Sequence, residues 1–149
     1  MSIASKHYQK QALTSQIAIA TPNELVILVY EKTFENLKLG MNEMLKGSYG
    51  IDYFTRAYDL IHQGLLATLN YEKGKDIALD LKNIYEWCLR EILAARLESS
   101  PQRIEKVIEV LTPLYEGWVG ISSAKKIHNL SPVPEVPVQK NKNLYYSTT

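Results

Sequence analysis

The sequence predicts an all-α fold, an antiparallel up-and-down four-helix bundle preceded by an extended or short helical segment and followed by a flexible Pro-rich tail. Three observations predict it. Apolar side chains recur at steps of three and four over four separate stretches. Cap-then-proline signals open two of those stretches, and the links between them are short and rich in turn residues. At 149 residues the chain suits one folded domain, read as an N-terminal segment over 1–20, a helical bundle over 21–128 and a tail over 129–149.

Thr21-Pro22-Asn23-Glu24 opens the first helix. A threonine hydroxyl can cap free amides, proline fits the first helical position, and a glutamate three residues after the threonine completes a capping box. Val26, Tyr30, Phe34, Leu37, Met41 and Met44 carry the apolar stripe to an end near Lys46. Gly47-Ser48-Tyr49-Gly50 is turn chemistry, and from Asp52 the residues Phe54, Ala57, Tyr58, Ile61, Leu65 and Leu69 mark a second helix. Asn70-Tyr71-Glu72-Lys73-Gly74 is expected to break it. Ile77, Leu81, Ile84, Cys88 and Ile92 then alternate steps of four and three, the seam along which antiparallel helices pack, to about Glu98. Ser100-Pro101 repeats the cap-then-proline signal, and Ile104, Val107, Ile108, Leu111, Leu114 and Trp118 form a fourth stripe. Pro113 lies inside that stripe, where a missing donor and a crowded Glu109 carbonyl predict a kink, or a stop and restart. Beyond His128, Ser131-Pro132-Val133-Pro134-Glu135-Val136-Pro137 has a proline spacing no helix accepts and reads as an extended, solvated tail.

Composition narrows the functions. Seventeen basic against sixteen acidic side chains, a net charge of +1, offer no broad attraction for nucleic acid. No apolar run reaches membrane-spanning length, and the opening MSIASKHYQK does not read as a signal peptide. The single cysteine, Cys88, cannot form an intramolecular disulfide, which favours a reducing, cytoplasmic setting. His7, His62 and His128 are too dispersed for a metal site, and no glycine pattern cradles a phosphate. Cys88 falls on a core seam with no base at hand. No catalytic residue, metal or cofactor is expected, and the chain reads as a protein that binds another protein.

What remains is a surplus of large apolar side chains. At about 100° per residue, Leu79, Leu93 and Leu97 fall opposite the seam of the third helix. Leu25, Leu28 and Leu39 lie off the main face of the first, and Leu60 and Leu66 flank that of the second. Uncovered apolar surface of this kind marks an interaction site, and an amphipathic helix laid in a groove is one natural cover. The Ile17-Ala18-Ile19 segment is another, and a second copy of the chain a third. A homodimeric structural or regulatory adaptor is therefore the alternative to a partner-binding groove.

Taken in order, these motifs resemble the flagellar secretion chaperone family FliS. Tyr8-Gln9 is similar to the family's N-terminal tyrosine, and Thr21-Pro22-Asn23-Glu24-Leu25-Val26 with Val29-Tyr30-Glu31 to its first-helix signature. Leu69-Asn70-Tyr71-Glu72-Lys73-Gly74, followed by Ile77-Ala78, Leu81 and Ile84-Tyr85, resembles the turn into its third helix, and Trp118 stands where its fourth ends. Lys32, Ala95-Arg96 and Pro113 depart from the pattern. The resemblance implies a cytoplasmic export chaperone that binds the C-terminal segment of flagellin, prevents its premature polymerisation and presents it to the flagellar type III export apparatus. It implies no cofactor. Client contacts are expected among Tyr8, Ile17, Leu65, Leu66, Leu69, Tyr71, Ile77, Leu81, Ile84 and Tyr85. It further implies that Tyr8 and the residues after it lie over the empty groove and are displaced by the client, although terminal position alone is equally consistent with a disordered end.

Overall fold

The computed structural model describes residues 22–130, which form four helices and, among the described residues, no strand. We label them α1 (Pro22–Leu45), α2 (Ile51–Asp59, continued by a π-helical segment over Leu60–Leu66), α3 (Tyr71–Glu98) and α4 (Pro101–Leu130). The all-α four-helix reading is what the structure shows. Two helices begin on the prolines that the cap signals mark, Pro22 and Pro101. At the second, the Arg103 amide donates to the Ser100 hydroxyl at 3.4 Å. Thr21 lies outside the described residues, as do Tyr8, Ile17 and the tail from 131.

Each helix runs against the one before it. α1 packs on α2 and α4, α3 packs on α4 and on the lower part of α2, so α1 and α3 sit on one diagonal of the bundle. The turn between α1 and α2 depends on Gly50, whose φ of 62° is left-handed and whose α-carbon side abuts the backbone of Gly40. A Cβ at Gly50 would stand 2.7 Å from the Gly40 carbonyl oxygen. The α3–α4 turn uses Ser99 at φ 50°, the left-handed close of a helix. Both of these turns lie at one pole of the bundle. The α2–α3 turn, the start of α1 and the end of α4 share the opposite pole.

The core is a single column: Tyr30, Leu37, Phe54, Ala57, Ile61, Leu65, Tyr85, Cys88, Ile92, Ile104, Val107 and Leu111 are buried. All but Tyr85 come from the stripes read in the sequence. At the middle of the column the Tyr30 and Tyr85 hydroxyls share a hydrogen bond of 2.6 Å across the α1–α3 diagonal. Nearer solvent, Phe34 meets Tyr115 edge-on at 5.6 Å, and the Tyr115 hydroxyl donates to Glu31 at 2.8 Å, tying α4 to α1.

Three local expectations are corrected. The stretch Asn70–Gly74 does not separate the helices; it starts α3. The Asn70 side chain accepts from the Lys73 amide at 3.0 Å and the Gly74 amide donates to the Asn70 carbonyl at 2.8 Å, so the asparagine is an N-cap rather than a breaker. The interruption falls one residue later, at Lys75, with φ 47° and ψ −120°. Of the two outcomes expected at Pro113, the stop and restart does not occur: α4 is helical on both sides of it. Its missing donor costs one bond in a helix already held by two neighbours. Finally, α2 is not α-helical to its end: the Ala67 amide donates to the carbonyl five residues back, on His62, at 3.0 Å.

Candidate partner-binding surface

The sequence singled out the α2–α3 junction, and the structure places its irregular backbone there. The π-helical turn Leu60–Leu66 leads into Thr68, whose hydroxyl donates to the Gly64 and Leu65 carbonyls at 3.0 and 3.1 Å. Those bonds satisfy acceptors that a widening helix leaves open. Asn70 then caps α3, and Lys75 holds a conformation that is the first central position of a type II′ turn, ordinarily glycine's. A backbone with two departures from regular helix within one turn region presents side chains at angles a straight helix does not.

The residues expected to contact a partner divide into three groups. Tyr8 and Ile17 lie outside the described residues. Leu65 and Tyr85 are interior, each 2% exposed, and sit in the core column. Leu65 lies on the second stripe, and Tyr85, which the third stripe did not include, falls four residues after Leu81 and three before Cys88 on the same face. Leu66, Leu69, Leu81 and Ile84 are half-buried and packed against the core with outer edges free, Ile77 is half-buried, and Tyr71 is 44% exposed. Leu66 and Leu69 stand at the end of α2 and in its turn, and Tyr71, Ile77, Leu81 and Ile84 on the first half of α3, a candidate seam around the junction. The start of α1 emerges at the same pole.

The apolar surplus is borne by α3 more than by α1 or α2. Leu79, Leu93 and Leu97 are exposed, Leu97 to 88%, as the angular reading of the third helix expects. Leu25, Leu28, Leu60 and Leu66 are half-buried instead, because neighbouring helices cover the flanks of their stripes; Leu39 stays exposed. The sequence reading passed over Tyr49 and Ile51, both exposed at the far pole. The available signal was two large apolar side chains inside a stretch otherwise made of turn residues.

Ionisable groups are arranged for packing. Burial pushes the Tyr85 phenol from 10.0 to about 12, while its bond with Tyr30 draws it back, and burial pushes Tyr30 up further still. Burial, with the Glu91 charge second, pushes the Cys88 thiol from 9.0 to about 12. A thiol so placed stays protonated at neutral pH and is a core side chain. No described helix is long and apolar enough to cross a membrane, and no group of three or more His, Cys, Asp or Glu among the described residues could hold a metal ion.

A family profile described as flagellar protein FliS matches residues 4–125. Among curated relatives, the chain is 29% identical over 119 residues to the flagellar secretion chaperone FliS of Salmonella typhimurium, covering 78% of this chain and 88% of the relative. It is 29% identical over 126 residues to the protein of the same name from Vibrio cholerae, covering 83% and 90%. The flagellar secretion chaperone FliSB of Pseudomonas aeruginosa is 27% identical over 122 residues, covering 80% and 95%. The match spans the first three helices, most of the fourth and most of the segment before them, and the chain belongs to the FliS family of flagellar secretion chaperones.

Proposed function

We propose that this protein is a cytoplasmic export chaperone that binds the C-terminal region of flagellin, keeps it from polymerising early and delivers it to the flagellar type III secretion apparatus. The observation that carries the reading is the union of family membership with an apolar seam, Leu66, Leu69, Tyr71, Ile77, Leu81 and Ile84, at a junction of irregular helix. A polymerisation-prone segment is amphipathic and lacks its assembly partner, so its apolar face needs cover. A half-buried row with free edges provides cover without opening the chaperone's own core. Leu65 and Tyr85 enter as the floor beneath that row. Tyr8 and Ile17 belong to the proposal through the pole at which they join α1: a segment leaving there is within reach of the seam, and the client would displace it.

Co-expression with the cognate flagellin tests this. Copurification is expected with full-length flagellin and lost when its C-terminal segment is deleted; equal recovery of both would overturn the assignment. Substitution at Tyr71, which is exposed and can change without a core cavity, is expected to weaken capture while the bundle stays folded. Removal of residues 1–20 is expected to strengthen it.

A further inference from the structure

At the pole opposite that seam, Tyr49 and Ile51 from the α1–α2 turn and Leu93, Arg96 and Leu97 from the end of α3 line an open cleft of about 420 Å³. Leu93 and Leu97 are one helical turn apart and both exposed, and Arg90 precedes Leu93 by three residues on the same face. The charges around it are unevenly settled. Glu91 and Glu98 are held by Arg103 at 3.0 and 2.9 Å, and Glu86 and Glu43 lie 3.8 Å from Lys82 and Lys46. Asp52 stands in the first turn of α2, where its own helix dipole favours a negative charge. Among the described residues, neither Arg90 nor Arg96 has an ion pair or hydrogen bond. The cleft is thus apolar at its centre, with Arg96 in its lining and Arg90 one helical turn before Leu93 on α3, neither paired among the described residues.

We propose that this cleft docks an amphipathic helix of a second protein partner, one that brings leucine-like anchors on one face and carboxylates beside them for Arg96 and Arg90. Charge complementarity selects that occupant. A second copy of the chain would place the same basic-edged patch against itself in an isologous contact, setting like charges together. Arginine suits the role because its fork binds a carboxylate in two places while its stem packs on apolar surface. The proposal does not rest on the flagellin reading: the seam and this cleft are at opposite poles, so both can be occupied at once.

The test is fluorescence anisotropy with full-length protein and two labelled synthetic helical peptides. Both carry leucines at positions i, i+4 and i+7; one has glutamates flanking them and the other lysines. The acidic peptide is expected to bind at least about tenfold tighter, with the difference shrinking as salt is raised. Arg96→Glu should reverse the preference toward the lysine peptide, and Leu97→Ser should weaken both; Leu97 is so exposed that its loss leaves no cavity. Equal affinity for the two peptides, or an acidic preference surviving in Arg96→Glu, would overturn the proposal. So would displacement of the bound peptide by a flagellin C-terminal peptide, which would give the cleft to the client. A concentration-dependent dimer abolished by Leu97→Ser would give it to a second copy and overturn the proposal likewise.

Discussion

The Tyr30 and Tyr85 hydroxyls meet at 2.6 Å in the middle of the core column, a polar link that joins α1 directly to α3. Each oxygen is removed from water; Tyr85 depends on Tyr30 for a partner, while Tyr30 has the Trp118 side chain as well. Tyr85→Phe leaves a buried hydroxyl without its mate and is expected to cost about 1–3 kcal/mol. The double Phe variant should cost less than the sum of the two single ones, since no orphan remains. Urea denaturation of the four proteins checks this; strict additivity would show that the hydroxyls do not interact.

Alkaline pH should unfold the bundle through its interior. Tyr85 and Cys88 both have folded pKa values raised above their unfolded ones, to about 12 from 10.0 and 9.0. The unfolded chain therefore releases these protons first, and the stabilisation is whole below pH 9 and lost as pH climbs to about 12. Each group contributes a slope near ~1.4 kcal/mol per pH unit inside its window. Cys88→Ala should remove the part between pH 9 and 10, measured as denaturation midpoints against pH.

Gly40 and Gly120 are expected to answer the same substitution with opposite signs. A Cβ at Gly40 would stand 2.6 Å from the Phe54 ring, which is fully buried and has nowhere to retreat. Overpacking of this kind costs about 1–3 kcal/mol and exceeds the helical advantage of alanine. At Gly120 nothing lies within 4 Å, so Gly120→Ala should stabilise by about 0.5–1 kcal/mol. Thermal melts of the two variants decide it.

Lys75→Gly should stabilise the protein. The backbone at φ 47° and ψ −120° is strained for a residue with a Cβ, at about 1–3 kcal/mol, and glycine relieves it at the expense of some chain entropy. A net gain of about 1 kcal/mol is expected. An unchanged or lower denaturation midpoint would mean that the lysine side chain offsets its own strain.

How much of this was legible beforehand follows from what each feature depends on. The four stripes and their order could be read because burial on one face imposes a period, and Pro22 and Pro101 mark starts by chemistry local to a few residues. Asn70 was misread because cap and breaker use the same residue types; only the position of the Lys73 amide separates them. The π-helical turn left no signal, since a five-back hydrogen bond depends on how α2 meets its neighbours. The exposure of Leu97 followed from angle alone, whereas Leu65 was expected to contact a partner although its own stripe faced the axis, and Tyr85 was expected to do so on resemblance. Tyr49 and Ile51 required the far end of α3 to be seen beside them.

The two ends of the described bundle lie together. Pro22 and Leu130 mark the boundaries of the described helices, and both lie at the pole of the α2–α3 junction. A short flexible segment fused at either point would explore a small volume around that junction, at an effective concentration in the ~millimolar range. A docking too weak to matter between separate molecules would then be substantially populated. Affinity measured at the proposed seam would then depend on what is fused at either end as well as on the seam itself.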